Sequence, residues 1–288
     1  MFTDVRFGGN PLAVLPDAVG LSSVQMQQIA REFNFSESAF VLPSYGGYTR
    51  NVRIFKPTQE IPFAGHPNIG AAFVLLSIGE IGNIAEGLNI VFEEKAGPVP
   101  ISIRQVGADI WCELKAPEPL SLGQSIDLDL IAAALSLVSE DIITSTHQPI
   151  VASVGLPFII VELNSRLALE RARSYPPAIE AIQELGIMPD ILLYVRSDDD
   201  FDIRARVFAP LDGVPEDPAT GSANCALAAL LSHYKTEWTG DFSWRIAQGV
   251  EMKRPSVLEA RSKKWPDSGI DAWVSRTCKM VTEGLIEI

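Results

Sequence analysis

The chain has 288 residues and a mass of 31.3 kDa, with 47% apolar and 20% charged residues and a mean hydropathy of +0.16. Such a chain buries a sizeable core, which excludes disorder, collagen-like repeats and small disulfide scaffolds, and its length suggests about two domains. The 23 basic and 36 acidic residues leave a net charge of -13, which repels phosphate backbones and makes nucleic acid an unexpected partner.

In chain order, the first element is a helix. Ser22 and Gln25 fit a capping box, and Met26, Ile29, Ala30 and Phe33 follow the i, i+3, i+4, i+7 spacing of an amphipathic helix. Short β-type runs follow at 39–42, 52–55, 90–92 and 101–103. Between them, residues 67–78 carry no charge, and Pro67 suits a first helical turn. Lys115-Ala116-Pro117-Glu118-Pro119 reads as a link. Beyond it come β-type runs at 158–161, 191–195 and 203–208. A helix opened by Pro176-Pro177 and closed by Gly186 places Ile179, Ile182 and Leu185 on one side. Residues 219–232 form a second uncharged stretch, for which Thr220 or Ser222 is the expected cap.

The second half repeats the first. Arg53-Ile54-Phe55-Lys56-Pro57 recurs 153 positions later as Arg206-Val207-Phe208-Ala209-Pro210. Each copy leads into a Pro- and acid-containing loop, a Gly-bearing turn and then the uncharged stretch. A helix apolar all round must be covered on every side. The expected architecture is therefore two related halves, each with one buried helix wrapped by a strongly curved sheet. A doubly wound α/β fold competes, but its helices would show a polar face. The expected domains are 1–116, which a last strand at 279–288 would complete, and 117–278.

The Gly turns place backbone N–H groups at the start of each buried helix, where partial positive charge favours an anion and Gly permits close approach. Gly65 and Gly221 are the candidates; tight turning alone is the competing explanation. His66 at the first turn is either a neutral hydrogen-bonding group or a turn cap. Asp217, ahead of the second turn, is either a site residue or a plain cap. Glu37 enters a β-type run. On its apolar face the carboxylate would be desolvated and suited to general acid/base work; turned to water it would be ordinary. Cys225 either feels the helix start or is buried filler. Cys112 and Cys278 lack neighbours at metal-ligand spacing, so no metal is expected. Three cysteines read as reduced thiols, and no secretory segment or membrane span of about 18 apolar residues is visible, so a cytoplasmic protein is expected.

Four motifs, in order, carry a resemblance. They are Gly9-Asn10-Pro11-Leu12-Ala13-Val14, Ala30-Arg31-Glu32-Phe33-Asn34-Phe35-Ser36-Glu37, Pro62-Phe63-Ala64-Gly65-His66-Pro67 and Glu216-Asp217-Pro218-Ala219-Thr220-Gly221-Ser222-Ala223. With Arg254-Pro255-Ser256 they resemble the phenazine biosynthesis PhzF-like family of the diaminopimelate epimerase-like fold. The resemblance implies an α+β fold of two similar domains, each a curved, barrel-like, mainly antiparallel sheet around a buried central helix. It also implies an isomerase active without a cofactor, a homodimer, and an active site in the cleft between domains. It assigns acid/base catalysis to Glu37 and substrate contact to Gly65, His66, Asp217, Gly221 and Ser222. The implied substrate is a small carboxylate-bearing molecule, as in the proton-moving isomerisation of a dihydro-hydroxyanthranilate. Related racemases use a thiol pair; this chain has Ala64 and Ala219 at the places matched to those thiols. The alternatives are an epimerase, racemase or lyase on an amino-acid-like substrate, or a non-catalytic small-molecule-binding protein. The resemblance also marks Lys253 as standing where Gly is common.

Overall fold

The computed structural model describes residues 1–84, 87–267 and 269–287. Residues 85, 86 and 268 of the expected domains, and Ile288 of the expected last strand, lie outside the described residues. The chain divides into two compact units, 1–115 with 275–288, and 116–274. The fold is α+β, with strand-rich, mixed but mainly antiparallel pairing in each unit and one helix at the centre of each.

The N-terminal unit begins with β1 (Ala13–Leu15), α1 (Ser23–Phe33), β2 (Ser38–Leu42), β3 (Arg50–Phe55) and β4 (Glu60–Ile61). It continues through α2 (Gly65–Ser77), β5 (Leu88–Glu94), β6 (Gly97–Val106) and β7 (Asp109–Lys115). β1 runs parallel to β2; β2 and β4 pair antiparallel with β3; β3 runs parallel to β5, and β5, β6 and β7 form an antiparallel meander. α2 contacts β1, β2, β6 and β7, so it is the enclosed element. α1 covers the opposite face: Met26, Ile29 and Ala30 pack with Phe40 and Phe55. Ser22 caps α1 in the expected box with Gln25. Phe33, assigned by spacing to the buried stripe, is instead exposed and stacks on Phe35. It is the last helical residue, where the left-handed Asn34 (φ 51°) turns the chain away.

The C-terminal unit contains β8 (Ser121–Ser125), α3 (Leu128–Ala134), β9 (Ile142–Ile143), β10 (Ile150–Ser153), β11 (Pro157–Leu163), α4 (Arg166–Arg171) and α5 (Pro176–Glu184). Next come β12 (Ile191–Arg196), β13 (Ile203–Ala209), β14 (Val214–Asp217), α6 (Gly221–His233), β15 (Gly240–Gln248), β16 (Ser256–Lys264) and β17 (Ile270–Thr277). The order repeats that of the first unit: β11 runs parallel to β12, β12 and β14 pair antiparallel with β13, and β13 runs parallel to β15, which pairs antiparallel with β16. α6 contacts β10, β11, β15 and β16. On the outer face, Ile159, Val161, Ile191 and Leu193 join Ile131, Leu169, Ile179 and Ile182 of α3, α4 and α5 in one core. The intervening Ile160 and Leu192 are also fully buried and point to the other face. Burial on both faces is why these strands read as unbroken apolar runs. Leu185 is exposed rather than aligned with Ile182, because it follows the last turn of α5.

Both central helices have 13 residues and neither has an acidic residue in its first turn. α6 is buried along nearly its whole length; α2 is buried through Ala72 and emerges by Ser77, so Ile78 is exposed. Gly70 of α2 allows a close approach: a Cβ there would stand 2.3 Å from Leu12 Cδ2.

The C-terminal boundary differs from expectation. β17 spans the division between units, and residues 275–278, expected in the second domain, belong to the first unit. No strand forms over 279–287: Met280 through Glu287 are exposed, and without apolar alternation to bury, nothing favours a ladder there.

Candidate active site

Glu37 and His66 come together within the N-terminal unit. Asn34 closes α1, the chain reverses, and Glu37 sits immediately before β2. His66 is the second residue of α2. Their side chains meet with Glu37 Oε2 3.3 Å from His66 Nε2, and they are only 12% and 5% exposed. Burial pushes the His66 imidazole down to about 3, so it is neutral at pH 7. The preceding Ser36 donates its hydroxyl to Asn10 Oδ1 at 2.9 Å, tying the glutamate's approach to the Gly9-Asn10-Pro11 segment.

The start of α2 is apolar in its cap. Ala64 is the N-cap and supplies no side-chain bond; Gly65 opens the helix, and both are buried. The N-cap side chain therefore does not compete for the amide groups of this turn. The two facing atoms lie at contact distance without hydrogen-bonding geometry; on reorientation a neutral histidine can donate to a carboxylate or, in its other tautomer, accept from a carboxylic acid. That arrangement accommodates both protonation states of an acid/base residue.

The C-terminal unit holds the remaining sequence-assigned residues around α6. Gly221 is the first helical residue and Ser222 the second, less buried than its neighbours. Thr220 occupies the N-cap, but its hydroxyl does not cap the helix; it donates to Asp217 Oδ2 at 2.5 Å. Ser222 lies inside the helix and likewise makes no cap. Both capping expectations are thus corrected: the Thr220 oxygen accepts from Gln248 Nε2 instead of a helix amide, and Ser222 lies past the cap position. Asp217 ends β14, is buried, and is no helix cap either. Gln248 Nε2 donates to Asp217 O at 2.7 Å and to Thr220 Oγ1 at 3.1 Å, and its Oε1 accepts from Thr220 N at 3.2 Å and Asn224 Nδ2 at 2.7 Å.

Position for position, the two helix starts match: Ala64 with Thr220, Gly65 with Gly221, His66 with Ser222, Asn68 with Asn224. The second-half partner of Ala64 is therefore Thr220 rather than Ala219, and neither is a thiol. Cys225 is buried on α6. Among the described residues no group of three or more His, Cys, Asp or Glu side chains is placed to hold a metal ion.

Sequence reasoning missed Thr220 as a partner of Asp217, and it missed Asn224 and Gln248. It also missed that the repeated arginines hold carboxylates. Arg53 Nε and Nη2 donate to Glu60 at 2.8 Å each, and Arg206 Nε and Nη2 to Glu216 at 2.8 and 2.9 Å. The recurring Arg with an acid a short loop later was the available signal.

A family model described as phenazine biosynthesis-like protein matches residues 1–272. The trans-2,3-dihydro-3-hydroxyanthranilate isomerase of Pseudomonas aeruginosa is 37% identical over 264 residues, covering 91% of this chain and 88% of the relative. An uncharacterised isomerase of Mesorhizobium japonicum is 36% identical over 267 residues, covering 90% of this chain and 87% of its own. Among solved structures, the phenazine biosynthesis protein of the PhzF family from Bacillus anthracis superposes with a TM-score of 0.85 at 22% identity. That match covers 96% of this chain and 93% of the other, and it is a likeness of fold.

Proposed function

Because the chain belongs to the phenazine biosynthesis-like family, we propose that it is an isomerase that moves a proton on a small carboxylate-bearing substrate, with Glu37 as the acid/base. The observation that carries the reading is the Glu37–His66 contact of 3.3 Å between two largely buried side chains at a helix start free of side-chain caps. A carboxylate removed from water is a stronger base than one in bulk solvent. Glu37 takes the proton from a substrate carbon and returns it at another, so atoms balance without an oxidant or a second substrate. His66, held neutral by burial, orients Glu37 and does not itself carry the proton at physiological pH. Gly65 and the first amides of α2 suit a developing or permanent negative charge.

Substrate contact is proposed likewise for Asp217, Gly221 and Ser222 around the start of α6, with Thr220 and Gln248 holding the Asp217 segment. A homodimer working without a cofactor belongs to the same proposal. The first compound to test is trans-2,3-dihydro-3-hydroxyanthranilate, the substrate in the name of the P. aeruginosa relative. Substrate deuterated at the donating carbon should deliver its label to the carbon that receives the proton. Glu37→Gln should lower turnover on the order of 10² to 10⁴-fold. Full activity in that variant rejects the assignment of Glu37, whatever the substrate.

A further inference from the structure

The two units correspond residue by residue beyond the helix starts. Arg50 of β3 lies opposite Phe92 of β5, and Ile203 of β13, 153 positions later, lies opposite Ile246 of β15. Two residues on, the last residue of β5 is Glu94 and the last of β15 is Gln248. On the adjoining helices, Asn68 and Asn224 each donate Nδ2 to the N-cap carbonyl, at 2.9 Å to Ala64 O and 2.8 Å to Thr220 O. Glu94 thus stands where Gln248 makes its four hydrogen bonds.

Glu94 is 7% exposed, and both its carboxyl oxygens are buried without a partner at full hydrogen-bonding geometry. Among the described residues no cation pairs with it. Its neighbour Lys95 is bound to Glu60 at 2.6 Å, Glu60 is also held by Arg53, and Glu93 accepts from the Ser44 hydroxyl at 2.8 Å. From α2 it meets Asn68, and His66 on the same helix is neutral. A carboxylate only accepts, so it cannot supply the N–H that Gln248 gives to the Asp217 carbonyl; a carboxylic acid has nearly the shape of the amide and one donor. A buried, unpaired carboxylate is also strongly disfavoured.

We propose that Glu94 is a positioning residue for the start of α2, held as a neutral carboxylic acid whose O–H takes the part of the Gln248 amide. Burial, only partly offset by Asn68, pushes its carboxyl up to about 8, in accord with that state. A carboxyl raised above its unfolded value stabilises the fold fully below the ordinary carboxylate range, and this contribution is lost as pH rises toward about 8.

The test uses the full chain and needs no substrate. Glu94→Gln should fold. Subtracting its pH profile of urea resistance from the parent's cancels the opposite contribution of His66 and should leave a loss between about pH 5 and about pH 9. The infrared difference between parent and E94Q at neutral pH should contain the carbonyl band of a protonated carboxylic acid. The His66 ring resonances should coincide in parent and E94Q and move in Glu94→Ala. Gln248→Glu should introduce a second alkaline loss of stability. An ionised carboxylate band at neutral pH, an E94Q chain that fails to fold or melts early at about pH 5, or no new pH dependence in Q248E would each overturn the proposal.

Discussion

Arg206 and Glu216 form a two-pronged ion pair, with Nε and Nη2 of the arginine 2.8 and 2.9 Å from the two carboxylate oxygens. The same guanidinium gives Nη1 to the carbonyls of Leu169 and Ala172 at the end of α4, both at 2.8 Å, and lies over the Phe208 ring. Glu216 immediately precedes Asp217, so the pair fixes the strand that delivers a candidate substrate-binding carboxylate. Arg53 and Glu60 repeat the pairing in the first unit, with the arginine more exposed than Arg206.

Removing one member of a buried pair leaves a charge without its partner, which costs about 3–5 kcal/mol. Arg206, 3% exposed, should therefore be the costlier arginine to lose. Arg206→Met should lower the denaturation midpoint clearly more than Arg53→Met. Equal losses would show that the deeper burial of Arg206 does not set its cost.

His66 should destabilise the fold in acid. Its folded value is about 3 against 6.5 for an ordinary histidine, so between those values the unfolded chain binds the extra proton. Stability should fall as pH drops from about 6.5 toward about 3, with a slope of at most about 1.4 kcal/mol per pH unit from this residue. His66→Gln should lack that component when the two pH–stability profiles are subtracted.

Thr220 should act through Asp217. Thr220→Val deletes a hydrogen bond to a charged, buried acceptor, worth about 1.5–3 kcal/mol. Denaturant titration should record the loss, and Thr220→Ser should restore most of it. If valine is tolerated without cost, the hydroxyl does not hold Asp217.

The turn between β15 and β16 contains two left-handed residues with opposite expectations. Gly249 (φ 72°) leaves no room for a Cβ, which would stand 2.6 Å from both Pro218 O and Arg254 O, so Gly249→Ala should be strongly destabilising. Lys253 (φ 59°) adopts the same conformation with a side chain. Lys253→Gly should be neutral or stabilising by up to about 1 kcal/mol, as strain relief is set against the greater entropy of glycine in the unfolded chain. Thermal melting of the two variants checks both signs.

By itself the sequence determined the duplication, the pair of enclosed helices and the family, because these are carried by uncharged runs, local spacing and contiguous motifs. The Ser22–Gln25 box was legible for the same reason: its partners are three residues apart. Phe33 and Leu185 failed where helical periodicity was extended past the point at which the helix ends, and the anticipated last strand where the chain ceases to bury apolar surface.

Only the tertiary structure decided that Glu37 and His66 are neighbours, that Thr220 serves Asp217 rather than its helix, and that Glu94 occupies the place of Gln248. These relationships depend on strand register and on the desolvation of particular atoms. Register is fixed by pairing between segments distant in the chain, and desolvation by what packs around them; neither leaves a local trace in residue order.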